Sequence, residues 1–62
     1  MIPDEDLAKA FLIVDNINSG EVISINRIAE EKRALFIRCI KQRIDTLNDC
    51  EFNNDYTKIR KL

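Results

Sequence analysis

The chain has 62 residues, 45% apolar and 34% charged, with two cysteines, one glycine, one proline and neither histidine nor tryptophan. One small domain is implied, because separate domains need on the order of 100 residues each, and imidazole chemistry is excluded, from triads to metal ligation. A net charge of −1 gives no bulk attraction to nucleic acid or to a membrane surface. The longest apolar run, Ala10–Val14, falls far short of the roughly 20 residues that cross a bilayer. Asp4, Glu5 and Asp6 stand where a secretory leader would be basic. No membrane partner is expected, and the expected compartment is the cytoplasm.

In chain order, Pro3 followed by three acids reads as a helix start, since acids in a first turn complement the positive end of the helix dipole. Leu7, Ala10, Phe11, Val14 and Ile17 continue it, so a first helix is expected over residues 4–17. Asn16–Gly20 should end it, with Gly20 suited to a C-terminal cap. Ser24 is a candidate N-cap for a second helix. From there Ile25, Ile28, Ala29, Leu35, Phe36, Cys39, Ile40, Ile44 and Leu47 form a 3.6-residue stripe, which predicts one unbroken helix over 25–48. Phe52, Tyr56, Ile59 and Leu62 suggest a short third helix over 54–62. The expected fold class is all-α, an antiparallel helical hairpin with a long second helix and a short C-terminal one.

At about 1.5 Å per residue the first helix spans roughly 21 Å and the second roughly 37 Å, so a hairpin leaves apolar surface uncovered. Leu12 and Ile13 lie away from the Leu7–Phe11–Val14 face, which makes the first helix apolar nearly all round. Self-association as a homodimeric bundle is therefore expected, through Phe11, Leu12, Ile13, Leu35, Phe36, Ile40 and Ile44. Cys39 and Cys50 read as free thiols, with Cys39 in the core. On one helix they would stand roughly 16 Å apart, beyond the ~7 Å reach of a disulfide. A bridge between subunits at Cys50 is the alternative. Without histidine they form no zinc site, and no metal or cofactor is expected.

The charge is unevenly placed. Residues 1–31 carry most of the acids, whereas Lys32, Arg33, Arg38, Lys41 and Arg43 follow one another with no acid among them. On one long helix, Arg27–Glu31 and Lys41–Asp45 would pair at i,i+4. Lys32, Arg33 and Arg43 fall on or beside the apolar stripe, where they snorkel or meet acids of the first helix. The sharper reading makes the five bases a partner-binding or nucleic-acid-binding surface.

Ile23–Glu31 looks like the opening of a helix-turn-helix, Ile40–Leu47 like its basic recognition helix, and Phe52 with Tyr56 like part of a wing. Lys32-Arg33-Ala34-Leu35 supplies no turn residue where that motif needs one, so the unbroken helix is preferred. Asp15–Glu21 resembles a calcium loop only superficially, because Ile17 stands where an oxygen ligand is required. With one glycine there is no phosphate-cradling loop, and Glu30 and Glu31 diverge on a helix, so no enzymatic activity is expected. The isoleucine- and asparagine-rich composition fits an AT-rich bacterial or phage genome. The functional expectation is a small regulatory adaptor or inhibitor that docks on a larger protein through a helical surface. The alternative is a nucleic-acid-binding regulator using the five bases.

Overall fold

The computed structural model describes residues 3–62. The chain runs through α1 (Asp4–Asp15), β1 (Val22–Ser24), two single 3₁₀ turns (Ile25–Arg27 and Glu30–Lys32), α2 (Arg33–Leu47), β2 (Cys50–Phe52) and β3 (Lys58–Lys61). The all-α hairpin is thereby overturned. The fold is mixed, two helices against a three-stranded antiparallel sheet of order β1-β3-β2.

α1 begins as expected, with Asp4, Glu5 and Asp6 in its first turn and the Leu7 N–H donating to the Pro3 carbonyl at 3.0 Å. It ends at Asp15, short of Ile17. Its last turn has no base of its own, yet two cations from elsewhere reach its C-terminal carbonyls. Arg43 donates to the Phe11 carbonyl at 3.0 Å and Lys61 to that of Val14 at 3.0 Å. Both cations thus sit at the negative end of the helix dipole, adding to the backbone bond that the Val14 carbonyl accepts from the Ile17 N–H at 3.2 Å. Gly20 does not cap α1. It sits at φ +88 in the turn into β1, where its N–H donates to the Lys61 carbonyl at 2.7 Å, and glycine takes that left-handed conformation without a steric penalty.

The expected helix over 25–48 is broken. Ser24 does act as an N-cap, its hydroxyl accepting from the Asn26 N–H at 3.2 Å, but the turn it opens is 3₁₀ and lasts one turn. Ile28 (φ −90, ψ 138) and Ala29 (φ −53, ψ 137) are extended. The carbonyls this exposes are taken by Arg33, whose Nε donates to Ile28 O at 2.9 Å and whose Nη2 donates to Asn26 O at 3.4 Å. The apolar stripe misleads because 3₁₀ turns also return a side chain to one face every third residue. Ile25 is buried, and Ile28 and Leu35 pack partly buried against the same core. α2 then ends as expected at Asn48, which adopts a left-handed φ of 51 and caps Ile44 O at 2.9 Å.

The third helix expected over 54–62 is instead a hairpin arm. In β3 the buried Ile59 lies between exposed Lys58 and Arg60, a period of two. The register places Ile23 and Phe52 on either side of Ile59 on the inner face, and Val22 and Glu51 on either side of Arg60 on the outer one. The helices meet in the same sense rather than antiparallel. Asp6 lies by Lys32 ahead of α2 (3.8 Å), and Asp15 lies by Arg43 towards its end (2.7 Å). The segment from β1 through the two 3₁₀ turns carries the chain back towards the start of α1, where Ile28 and Lys32 lie by Asp6 and Lys9, before α2 begins.

The core is Ala10, Val14, Ile23, Ile25, Phe36, Cys39, Ile40, Cys50 and Ile59. Both cysteines are free and buried, and burial pushes each thiol up from its ordinary value. Among the described residues no helix is long and apolar enough to cross a membrane.

One charged residue lies inside. Arg43 is 3% exposed. Its Nε and Nη2 donate to the two oxygens of Asp49 at 2.9 and 2.6 Å, Nη2 also to Asp15 at 2.7 Å, and its guanidinium carbon stands 5.1 Å from the centre of the Phe11 ring. Asp49, with Asp15 behind it, pushes the guanidinium up, and Arg43 in turn holds the Asp49 carboxyl below its ordinary 3.8. Removing one member of a buried pair costs about 3–5 kcal/mol, against a total of about 3–9 kcal/mol for a chain of this length. Arg43→Ala should therefore leave the protein largely unfolded in urea titrations. Asp49 is 30% exposed and Asp15 54%, so Asp49→Asn should cost more than Asp15→Asn, which should cost about 1 kcal/mol or less. Equal losses would contradict this ranking. The Asp49 contribution is complete above pH 3.8 and is lost as pH falls through the lowered folded value. The Asp49→Asn protein should accordingly show a shallower acid limb in its stability–pH curve.

Candidate functional site

The five bases singled out in the sequence have separate fates. Arg43 is buried in the network above, Arg33 holds two backbone carbonyls, and Lys32 pairs with Asp6. Arg38 and Lys41 remain on the exposed face of α2, where neither has a carboxylate within 4.0 Å among the described residues. The expected Lys41–Asp45 pair is not formed. Lys41 instead places its ammonium 5.1 Å from the centre of the Tyr56 ring, a cation–π contact that ties α2 to the β2–β3 hairpin.

The residues proposed for self-association divide likewise. Phe36 and Ile40 lie in the chain's own core, Phe11 is half-buried beneath Arg43, and Ile44 and Leu35 are half-buried. Leu12 projects from α1 and is 59% exposed. Ile13 lines a depression of about 400 Å³ together with Ile17, Ile23 and Ile28.

Tyr56 is held by a loop that spends its polar groups on itself. The Asn53 side-chain carbonyl accepts from the Thr57 and Lys58 N–H groups at 2.8 and 2.9 Å, and its amide donates to Asp55 at 2.6 Å and to the Thr57 hydroxyl at 2.9 Å. The Thr57 hydroxyl donates to Asp55 at 2.6 Å, which keeps that carboxyl below its ordinary value. Tyr56 itself sits at φ +60. Such a backbone costs on the order of 1–3 kcal/mol in a bulky residue and persists only where neighbours over-determine it. The result is a ring 48% exposed, with its centroid 5.0 Å from that of Phe52 and tilted by 46°.

Below this ring lies an open cavity of about 450 Å³, lined by Ile44, Asn48, Phe52, Asn53, Asn54 and Tyr56 among others. That volume lies within the roughly 300–1,000 Å³ of small-molecule sites. Asn48 and Asn54 make no side-chain hydrogen bond among the described residues. The wall thus combines two aromatic rings with two uncommitted amides beside an unpaired cation. Among the described residues there is no cluster of histidine, cysteine or carboxylate groups that could hold a metal ion.

Of these groups the sequence points to Lys41 as a binding residue and to Ile44 as a self-association residue, and it places Phe52 and Tyr56 in the apolar spacing of a third helix or in a wing. Asn48 and Asn54 were legible as turn formers, with nothing to mark them as a wall. Comparison with protein-family models, with curated proteins and with solved structures finds no match.

Asn53→Ala should remove the centre of the loop network, destabilise the hairpin by about 1–2 kcal/mol, and erase the ring-current shift that Tyr56 imposes on the Lys41 side chain in NMR spectra. A Lys41 shift that survives this change would mean that the loop does not hold the ring.

Proposed function

We propose that the chain is a small, non-enzymatic regulator that binds nucleic acid through the exposed face of α2 and the adjoining β2–β3 hairpin. The observation that carries this reading is Lys41 resting on Tyr56, which joins helix and hairpin into one surface with no carboxylate within 4.0 Å of Lys41 or Arg38 among the described residues. Along α2, Ala34, Arg38, Lys41, Gln42 and Asp45 are exposed on that side. Arginine and glutamine side chains are the types that donate to base edges, and lysine suits a phosphate. The single long helix is broken at Ile28–Ala29, but only the three-residue 3₁₀ turn Ile25–Arg27 precedes the break. No helix-turn-helix is therefore formed among the described residues, and the proposed surface is that of α2 and the hairpin alone.

The net charge of −1 makes attraction local. Contacts from Arg38, Lys41 and the exposed Lys58 at the base of the loop would release few counterions. Binding to single-stranded and duplex oligonucleotides should therefore show a slope of log K against log salt of about −2 to −3. Arg38→Ala and Lys41→Ala should each reduce that slope by about one. Absence of binding at low salt would remove the reading.

A second reading rests on Leu12, 59% exposed on α1, and on the depression lined by Ile13, Ile17 and Ile28. An exposed apolar knob and a separate hollow suit a contact with a second copy. Sedimentation equilibrium should then give a dimer that Leu12→Glu dissociates, whereas a monomer at every concentration would exclude it.

A further inference from the structure

The cavity beneath Tyr56 has a chemistry that α2 alone does not explain, and resting on the nucleic-acid reading above, we propose that it receives one unpaired nucleobase. Two aromatic rings 5.0 Å apart form one wall and the half-buried Ile44 lies in the floor. Aromatic rings beside polar amide groups suit a planar heterocycle with a hydrogen-bonding edge. Asn48 and Asn54, whose amides are uncommitted, offer both a donor and an acceptor to its edge. Unpaired bases are recognised in this way, stacked on aromatic rings and hydrogen-bonded along their exposed edges.

The placement of Lys41 beside Tyr56 fits the same ligand. Lys41 lies 5.1 Å from the Tyr56 ring centre, with no carboxylate within 4.0 Å among the described residues. An exposed cation–π contact is weaker than a base–aromatic stack. An incoming base takes the ring, and the ammonium on its flexible stem turns to the phosphate of the same nucleotide. The conformation of Tyr56 agrees with this use. Its positive φ is maintained by Asn53, Asp55 and Thr57, and the ring so presented remains half exposed instead of entering the core. The carboxylate nearest in sequence, Asp55, is turned into the loop by its bonds to Asn53 and Thr57. Glu51, also at the cavity wall, pairs with Arg60. The ligand predicted is a single strand, or a loop or bulge in a paired one, rather than an intact duplex.

The protein reports on this site directly, because Tyr56 is its one tyrosine and it has no tryptophan. Single-stranded DNA and RNA 12-mers, the matching duplexes, and an abasic strand of equal charge would be titrated at low salt while tyrosine emission is followed. Single strands should quench the emission and bind about tenfold or more tightly than the abasic strand. Tyr56→Leu and Asn54→Ala, checked for folding by circular dichroism and, because Tyr56→Leu removes the one tyrosine, titrated by the anisotropy of fluorescently labelled strands, should abolish or reduce that preference while leaving the salt slope intact. The tighter of the DNA and RNA complexes identifies the sugar. Equal affinity for base-bearing and abasic strands, or a preference that survives Tyr56→Leu, would overturn the pocket while the phosphate-binding surface of α2 stood. No binding to any strand would overturn both.

Discussion

A guanidinium in the interior of a 62-residue chain is a severe constraint, since a buried cation without partners costs several kcal/mol. Here it is met by two separated parts of the chain. Arg43 projects from α2, takes the Phe11 carbonyl and Asp15 at the end of α1, and grips both oxygens of Asp49 just before β2. These contacts fix how the two helices lie side by side and where the chain must leave α2. The left-handed Asn48 turns the backbone so that Asp49 comes round to Arg43 and Cys50 enters the sheet. The position of the hairpin, and with it the meeting of Lys41 and Tyr56, follows from that geometry.

Much of the local structure was legible. The acids after Pro3, the cap at Ser24, the core placement of Cys39 and the end of α2 at Asn48 are set by nearest-neighbour chemistry and stand in the structure as read. The strands were not legible, for a physical reason. β1 and β2 have three residues each, too few for alternation to stand out against a helical spacing, and they depend on pairing across long stretches of sequence. Val22-Ile23-Ser24 and Lys58-Ile59-Arg60 do alternate, and that signal was outweighed by a 3.6-residue stripe that two 3₁₀ turns imitate.

The cations show how far charge alone can be read. Arg43 falls beside the apolar stripe in sequence, where snorkelling or a meeting with acids of the first helix is expected, whereas the structure buries it. The partners that make burial tolerable come from residues 28 positions before it and 6 after it, and no local pattern shows them. Arg33 answers a break in the helix that the sequence does not announce. Lys41 differs again, because its significance comes from Tyr56, across the turn that ends α2. Basic residues that look like one run in sequence thus resolve into structural ties and a small exposed remainder.

The sheet order has a temporal meaning as well as a geometric one. β1 and β2 touch only through β3, so during vectorial synthesis both outer strands emerge from the ribosome before the strand that joins them exists. Until residues 58–61 are free of the exit tunnel, Arg43 can tie α1 to α2, but the sheet cannot close and Lys61 cannot reach the carbonyl of Val14. Closure of the sheet is therefore a late, long-range event, and the apolar faces of β1 and β2 stay exposed until it occurs.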